Sequence, residues 1–398
     1  MPSPVRNKRI VLGVTGSIAS YKAADLASKL VQSGALVDTV LTKSATEFVS
    51  ELTFKSLTHR EVYTNLYSTD SSLSINHVAL AESADLIIVA PATANTIAKI
   101  ANGISDDVLT TTILATTAPI IIAPAMDANM FDNPATEANV STLIARGIFI
   151  AGPAEGRLAS GLVGRGRMIE PFEIISAANM LLGKDGDFSG KKIVVSAGGT
   201  EEAIDPVRTI TNRSSGKMGY AIAEAARDRG AIVSLVAAPN NLARPVGISV
   251  TNIKSADDMK KAIEDECLEA DALIMAAAVA DWRPSEKLDS KAKKNQSDTW
   301  SLELVKNPDI IAGINSTNLI KVGFAAESEN LVENSKTKIK SKNLDFIVAN
   351  DITASDSGFS VDTNKVTIIH ADGTTEALPL MSKYDVAHSI LDRVKSGF

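Results

Sequence analysis

A chain of 398 residues with 47 acidic and 40 basic side chains carries a formal charge of −7, which leaves no basic stripe to release counterions from a nucleic acid. Its length exceeds one ordinary core, so two domains are expected, and 45% apolar with only 4% aromatic residues suits parallel sheets covered by helices. No uncharged apolar run is long enough to span a bilayer, the basic start Met1–Arg9 leads into a strand and not a signal-peptide core, and the lone Cys267 excludes intrachain disulfides and cysteine-rich zinc sites and fits a reducing cytoplasm.

In chain order, the first half opens on a buried strand from Arg9 that runs into Gly13-Val14-Thr15-Gly16-Ser17-Ile18-Ala19, followed by a helix over 21–34. A second strand over 35–41 ends at Thr42-Lys43, and further buried strands are read at 85–90, 119–123 and 148–151. Helix-period sequence separates them, the signature of a doubly wound parallel sheet. Gly13, Gly16 and Ala19 have the spacing of a loose dinucleotide fingerprint without being G-x-G-x-x-G. A dinucleotide site also wants an acidic residue at the end of the second strand, where this chain has Thr42-Lys43. A phosphomonoester such as FMN therefore fits better than NAD. Two more strand-end turns, 90–96 and 123–130, carry small hydroxyl, amide and methionine side chains where open α/β sheets bind ligands.

The polar, glycine-rich stretch 183–190 is read as the boundary between halves 1–189 and 190–398. The second half restarts with a strand over 193–196 and the turn Ala197-Gly198-Gly199-Thr200. The segment from Asp205 to Gly219 then opens a helix over 220–229 with Ser214-Ser215-Gly216-Lys217. A helix start with free N–H groups favours an anion; Arg208 and Lys217 add fixed charge, so a phosphorylated ligand is expected. Strands follow at 231–237, 272–275, 320–324 and 346–349, and a hairpin, 365–370 with 374–380, closes around Asp372-Gly373. Cys267, in the charged helical stretch 258–269, reads as a half-buried structural thiol. The histidines at 59, 77, 370 and 388 show no metal spacing.

These residues, in this order, resemble the bifunctional phosphopantothenoylcysteine decarboxylase/phosphopantothenate–cysteine ligase family of coenzyme A biosynthesis. The resemblance rests on residues 13–19, Asn76-His77-Val78, Ala-Pro-Ala-Thr-Ala-Asn at 90–95, Pro124-Ala125-Met126 and 164–171 in the first half. In the second half it rests on 205–219, 276–283, Val305-Lys306-Asn307-Pro308-Asp309-Ile310 and Lys342-Asn343-Leu344-Asp345. It implies an α/β protein of two Rossmann-like domains: a flavodoxin-like flavoprotein domain of the HFCD type, then a ligase domain with a parallel sheet and a terminal β-hairpin.

For the flavin half the resemblance implies FMN lined by Gly16, Ser17, Ile18, Thr42, Ala92, Thr93 and Asn95. The substrate thiol is oxidised to a thioaldehyde so that the carboxylate can leave, and the protein supplies the last proton. His77 matches the family's active-site histidine, a base and orienting group. Two positions depart from the family pattern. Asp127 stands where an asparagine holds the substrate carboxylate, an anion against an anion, which leaves Asn129 as a second candidate contact. Ser160 stands on the flap where a cysteine commonly donates the final proton.

For the ligase half the resemblance implies an acyl-cytidylate from CTP, attacked by the amine of cysteine. Arg208 and Asn212 bind 4′-phosphopantothenate and stabilise the intermediate. The nucleotide set is Met275, Ala276, Ala277, Asp281, Lys291, Pro308, Asp309, Ile310, Ile311, Phe324, Lys338 and Lys342. Lys291 to Lys294 form a lid over a triphosphate whose Mg²⁺ is held by phosphates and water. Trimeric flavin halves, dimeric ligase halves and a cytoplasmic location are also implied. A ligase whose flavin half is inactive or releases an oxidised enethiol stays open, resting on Asp127 and Ser160 alone. A regulatory flavin-binding subunit is disfavoured by the complete ligase half, and a two-domain oxidoreductase by Thr42-Lys43 and the missing fingerprint.

Overall fold

The computed structural model describes residues 3–66, 76–293, 299–316, 318–327, 331–351 and 361–398. The chain divides into two compact units, one running to Leu182 and the other from Gly183 to Phe398.

In the first unit the order is β1 (Arg9–Val14), α1 (Ser20–Gln32), β2 (Leu36–Leu41), α2 (Glu51–Thr58), β3 (Val62–Tyr63), α3 (Asn76–Ser83), β4 (Leu86–Ala92), α4 (Ala94–Asn102) and α5 (Val108–Ala115). Then come β5 (Ile120–Pro124), α6 (Ala128–Phe131), α7 (Pro134–Ala145), β6 (Phe149–Ile150), β7 (Ala154–Arg157), β8 (Val163–Arg167) and α8 (Pro171–Gly183). Six parallel strands form one sheet in the order β3-β2-β1-β4-β5-β6. Setting aside the two-residue edge strand β3, the order is that of a flavodoxin-like sheet. Strands β1 and β4 are centred on the apolar runs Ile10–Leu12 and Leu86–Val89 because helices cover both faces; Ile10, Val11, Leu12, Ile87, Ile88 and Val89 are fully buried. Gly13 is a packing glycine: a Cβ there would sit 2.3 Å from Leu109 Cδ1 of α5.

The second unit repeats the plan. It contains β9 (Lys192–Ala197), β10 (Glu201–Ala203), β11 (Thr209–Thr211), α9 (Lys217–Arg227), β12 (Ile232–Ala237), β13 (Ser249–Asn252), α10 (Ala256–Glu266), β14 (Ala272–Met275), β15 (Trp282–Pro284), β16 (Leu304–Lys306) and α11 (Ile310–Gly313). It continues with β17 (Ile320–Glu327), α12 (Leu331–Lys342), β18 (Phe346–Asp351), β19 (Thr363–Asn364), β20 (Val366–His370), β21 (Thr375–Ala377), β22 (Met381–Ser382) and α13 (Lys383–Lys395). The sheet runs β13-β12-β9-β14-β17-β18-β20-β21. Its first six strands are parallel, and the β20–β21 hairpin adds antiparallel to β18.

Several details differ from the sequence reading. The helix expected from Tyr220 begins at Lys217, because Gly216, at φ +75°, turns the chain into it. β13 and the small hairpins β7–β8, β10–β11 and β15–β16 were not anticipated; they are short, polar or glycine-bearing, with little period-2 apolar signal. Cys267 lies in a 3₁₀ turn after α10 and is buried, not half-buried. Among the described residues no helix is long and apolar enough to cross a membrane.

Candidate functional site

In open α/β sheets a crevice forms where the strand order reverses, outside the carboxyl ends of the strands. In the first unit that point lies between β1 and β4. Thr15 is the hub: its Oγ1 donates to the Pro91 carbonyl at 2.7 Å and accepts the Thr93 N–H at 3.1 Å. This brings Gly16, Ser17 and Ile18 beside Ala92, Thr93 and Asn95. Thr42 joins through its N–H to the Val14 carbonyl at 3.1 Å. Gly16 is required by close approach, since a Cβ there would lie 2.4 Å from Ser44 Cβ. Thr93 caps α4 by accepting the Thr96 N–H, and α1 opens from the same rim, so two helix N-termini face the crevice. The donors are hydroxyls, an amide and backbone N–H groups, with Lys43 behind Thr42 and no acid at the end of β2. That set suits a phosphomonoester attached to an uncharged ring system.

His77 lies in the first turn of α3, and its side chain is half-buried. Because α3 precedes the parallel strand β4, its first turn belongs to the carboxyl-end side of the sheet.

Over the third loop sits the β7–β8 hairpin, whose tip carries Ser160. Two glycines seat it: a Cβ on Gly166 would lie 2.3 Å from the Met126 carbonyl oxygen, and one on Gly164 2.8 Å from Ala128 Cβ. Met126 donates its N–H to the Gly166 carbonyl at 2.9 Å. The Arg165 guanidinium bonds Asp132 at 2.7 Å and stacks over Phe131. Asp127 caps α6, accepting the Asn129 N–H on Oδ1 at 3.0 Å, and accepts the Ser160 hydroxyl on Oδ2 at 2.5 Å. The Asn129 side chain is exposed. The sequence treats Asp127 and Ser160 as separate departures; the fold joins them.

In the second unit the reversal lies between β9 and β14, and the two following loops are zipped together. Ala277 N–H bonds Ser196 Oγ at 3.1 Å, Ala278 N–H bonds the Gly198 carbonyl at 2.8 Å, and Ala280 N–H bonds Thr200 Oγ1 at 2.9 Å. Gly199 approaches so closely that a Cβ would lie 2.4 Å from the Asn212 carbonyl oxygen. Asn212 Nδ2 donates to the Val279 carbonyl at 3.0 Å. The result is a cavity of about 870 Å³ lined by the whole expected nucleotide set except Lys291, together with Asn212 and the start of α9. Asp309 caps α11 and pairs with Lys342 at 2.9 Å.

Arg208 and Lys291 do not line this cavity. Arg208 is held by Asp205 at 2.7 Å and lies over Trp300 at 5.3 Å. Ala292 N–H bonds the same Asp205 at 3.2 Å, which sets Lys291 beside the β10–β11 turn. Burial alone would push the Asp205 carboxyl up; N–H donors from Val207, Ala292 and Arg208 and the Arg208 charge bring it below the ordinary carboxylate value. Lys294 lies outside the described residues. Among the described residues no cluster of three or more His, Cys, Asp or Glu side chains could hold a metal. The cavity also gathers Asn350, Asn364 and Lys383, which sequence reading missed because nothing in their local spacing marks them.

Residues 2–183 match the family model described as Flavoprotein, and residues 188–398 the one described as DNA/pantothenate metabolism flavoprotein C-terminal domain. The chain is 47% identical over 395 residues to the Coenzyme A biosynthesis bifunctional protein CoaBC of Bacillus subtilis (strain 168), covering 98% of this chain and 97% of that one. Among solved structures, the C-terminal domain of a Coenzyme A biosynthesis bifunctional protein CoaBC is 38% identical, covering 53% of this chain and 97% of that one, with a TM-score of 0.46. The FMN binding protein AtHal3 is 34% identical, covering 44% of this chain and 96% of that one, with a TM-score of 0.39.

Proposed function

From the premise that the chain belongs to the bifunctional coenzyme A biosynthesis family, with a flavoprotein decarboxylase half and a ligase half, we propose that it joins cysteine to 4′-phosphopantothenate at the expense of CTP and decarboxylates the product with FMN. The observation that carries the ligase reading is the cavity beyond β9, β14, β17 and β18. Lysines 217, 306, 338, 342 and 383 line it against Asp281 and Asp309, an excess of positive charge suited to a nucleoside triphosphate. Asn212, between the loop after β11 and the Val279 carbonyl, would bind the acyl group being activated. Arg208, with the Lys291 segment beside it, would contribute to phosphopantothenate binding. With no cluster of three or more His, Cys, Asp or Glu ligands among the described residues, Mg²⁺ would be held chiefly by phosphates and water.

In the flavin half, Ser17, Thr42, Thr93, Asn95 and the N-termini of α1 and α4 would hold the phosphate and orient the ring. The flavin, when bound, supplies the electron sink without which loss of carbon dioxide would leave an unstabilised carbanion. His77 would orient the substrate and accept a proton at an imidazole nitrogen. Asp127 and Ser160 close over the same rim.

A second reading of the flavin half is favoured by one observation. Ser160 spends its proton on a carboxylate, which would make it a poor acid; part of the product would then leave as the oxidised enethiol, with the two electrons left on the flavin passed to dissolved oxygen. Incubation of the pure protein with 4′-phosphopantothenate, cysteine, CTP and Mg²⁺, followed by product mass, decides. The phosphopantetheine mass supports the full reading, a mass lower by two hydrogens supports the second, and absence of CTP-dependent pyrophosphate release overturns the ligase reading.

A further inference from the structure

The buried residues of α1 are Ser20, Lys22, Ala23, Leu26, Ala27 and Leu30, so a lysine stands in the stripe that packing would give to an apolar side chain. Lys22 is only 5% exposed. It is the third residue of the helix, in a turn where the macrodipole disfavours a cation. A buried ammonium persists only where it is paired and hydrogen-bonded. Lys22 Nζ finds its partners on the chain that leaves β8, donating to the Met168 carbonyl at 2.9 Å and to Glu170 Oε1 at 2.8 Å. That hydrogen bond, with the Lys22 and Arg167 charges behind it, holds the Glu170 carboxyl below its ordinary value against the effect of burial.

The two ends of this contact serve different parts of the flavin half. α1 opens at the flavin crevice: Ser20 Oγ donates to the Thr15 and Ser17 carbonyls at 3.1 and 2.7 Å, and Thr15 is the hub that joins the first loop to the second. Residues 168–170 form the root of the β7–β8 hairpin. Met168 and Ile169 are buried, and a Cβ on Gly152, just before β7, would lie 2.6 Å from Ile169 Cγ2. Glu170 also sets the start of α8. Its carbonyl accepts the Glu173 N–H at 3.0 Å, and its own N–H donates to Glu173 Oε2 at 2.9 Å. At the other end of the hairpin Ser160 is held by Asp127. The hairpin is thus fixed at its tip to the loop after β5, and at its root to the helix that opens at the flavin crevice.

We propose that Lys22 is a positioning residue of the decarboxylase: it ties the root of the flap hairpin to the flavin-binding helix, so that Ser160 and Asp127 are held in place over the substrate. The inference rests on the flavin reading and deepens it. Lys22 acts through Met168 and Glu170 and not on the reacting atoms. Its removal leaves no orphaned buried charge, because the Glu170 side chain is 40% exposed and keeps Arg167 at 2.8 Å. A methionine refills most of the volume of the lysine stem.

Hydrogen–deuterium exchange and steady-state decarboxylation by the FMN-loaded full chain test it. Lys22→Met should keep the flavin absorbance of wild type and exchange the amides of residues 154–167 about tenfold faster, with those of β1 and β4 unchanged. Its KM for phosphopantothenoylcysteine should rise about fivefold. Glu170→Ala should loosen the hairpin less, and the double variant no more than Lys22→Met alone. Hairpin exchange as slow as wild type, or an unchanged KM, overturns the proposal. Equal loss of protection in the hairpin, β1 and β4 also overturns it, making Lys22 a residue of general stability. Additive loosening in the double variant overturns the Glu170 link. If Lys22→Met does not fold, Glu170→Ala carries the test through the same exchange and KM. Wild-type protein that binds no FMN, or does not decarboxylate phosphopantothenoylcysteine, overturns the flavin reading itself, a result distinct from local loosening in the variants.

Discussion

Ser160 donates its hydroxyl to Asp127 Oδ2 at 2.5 Å while the other oxygen of Asp127 accepts the Asn129 N–H at 3.0 Å. Both oxygens of the Asp127 carboxyl are thus engaged as acceptors. The bond latches the tip of the β7–β8 hairpin to the N-cap of α6. A substrate carboxylate arriving here meets like charge, worth roughly 1 kcal/mol at 4 Å in water and several times that in a partly dry site. Asp127→Asn removes the charge and weakens the latch. It should lower KM for phosphopantothenoylcysteine about tenfold, read by steady-state decarboxylation; an unchanged or raised KM would mean the substrate carboxylate binds elsewhere.

The same bond sets the acidity of the flap. A serine hydroxyl is a far weaker acid than a thiol, whose ordinary pKa is about 8.5, and its proton already lies toward Asp127. Ser160→Cys should raise the fraction of reduced product relative to oxidised enethiol, measured as the ratio of the two product masses. Ser160→Ala tests the other limit: if it matches wild type in that ratio, the proton comes from another group or from water, and Ser160 serves only as a latch.

Gly166 couples the hairpin to the third loop of the flavin half. Its φ of +156° and a notional Cβ only 2.3 Å from the Met126 carbonyl leave no room for a side chain. Gly166→Ala should therefore shift the hairpin off α6 and cut decarboxylase kcat/KM by tenfold or more, while CTP-dependent pyrophosphate release by the other half stays within twofold. Equal loss of both activities would point to general misfolding instead.

Much of this was legible in the residues because apolar runs and small-residue turns are local signals. Ile10 to Val14, Leu86 to Ala90 and Ala272 to Met275 are buried on both faces and spell strands directly. The small-residue turns at 13–19 and 90–96 are recognisable locally, whereas 275–277 are named only through the family resemblance. What stayed hidden depends on long-range packing. The Asp127–Ser160 bond spans 33 positions. Lys217 and Asp362 meet across 145, and Asn350 Oδ1 is buried without a hydrogen-bond partner among the described residues. Arg208 reads as a loop cation for the ligand pocket, yet a buried aspartate three residues earlier claims one of its nitrogens.

Cys267 offers a negative control for the chemistry. The thiol is 8% exposed, and burial, only partly offset by Lys192, pushes it up to about 12, so almost no thiolate forms near neutrality. Native protein should resist a thiol reagent that reacts fully after denaturation, and Cys267→Ala should keep both activities within twofold. Rapid labelling of the native chain, or loss of either activity without loss of fold, would contradict a purely structural role.

His388 should set the acid limit of the second unit. It is 1% exposed on α13, edge-on to the Tyr384 ring at 4.5 Å, and neither ring nitrogen has a hydrogen-bond partner among the described residues. Burial, reinforced by the Arg229 charge and only partly opposed by Asp385 and Asp392, lowers its pKa to about 4 from an ordinary 6.5. The folded protein therefore keeps the imidazole neutral while the unfolded chain takes up a proton below 6.5. This contribution is fully present above that pH and is lost as the pH falls toward 4, about 3 kcal/mol in all. His388→Phe keeps an aromatic ring against Tyr384 and removes the titration. The acid unfolding midpoint of the second unit, followed by near-ultraviolet circular dichroism, should drop by about half a pH unit or more, and thermal stability should flatten between pH 6.5 and 4. An unmoved midpoint would assign acid unfolding to carboxylates such as Asp187. The Arg229 guanidinium hydrogen-bonded to it, with Lys395 beside it, holds its pKa near 2, so its contribution disappears only at lower pH.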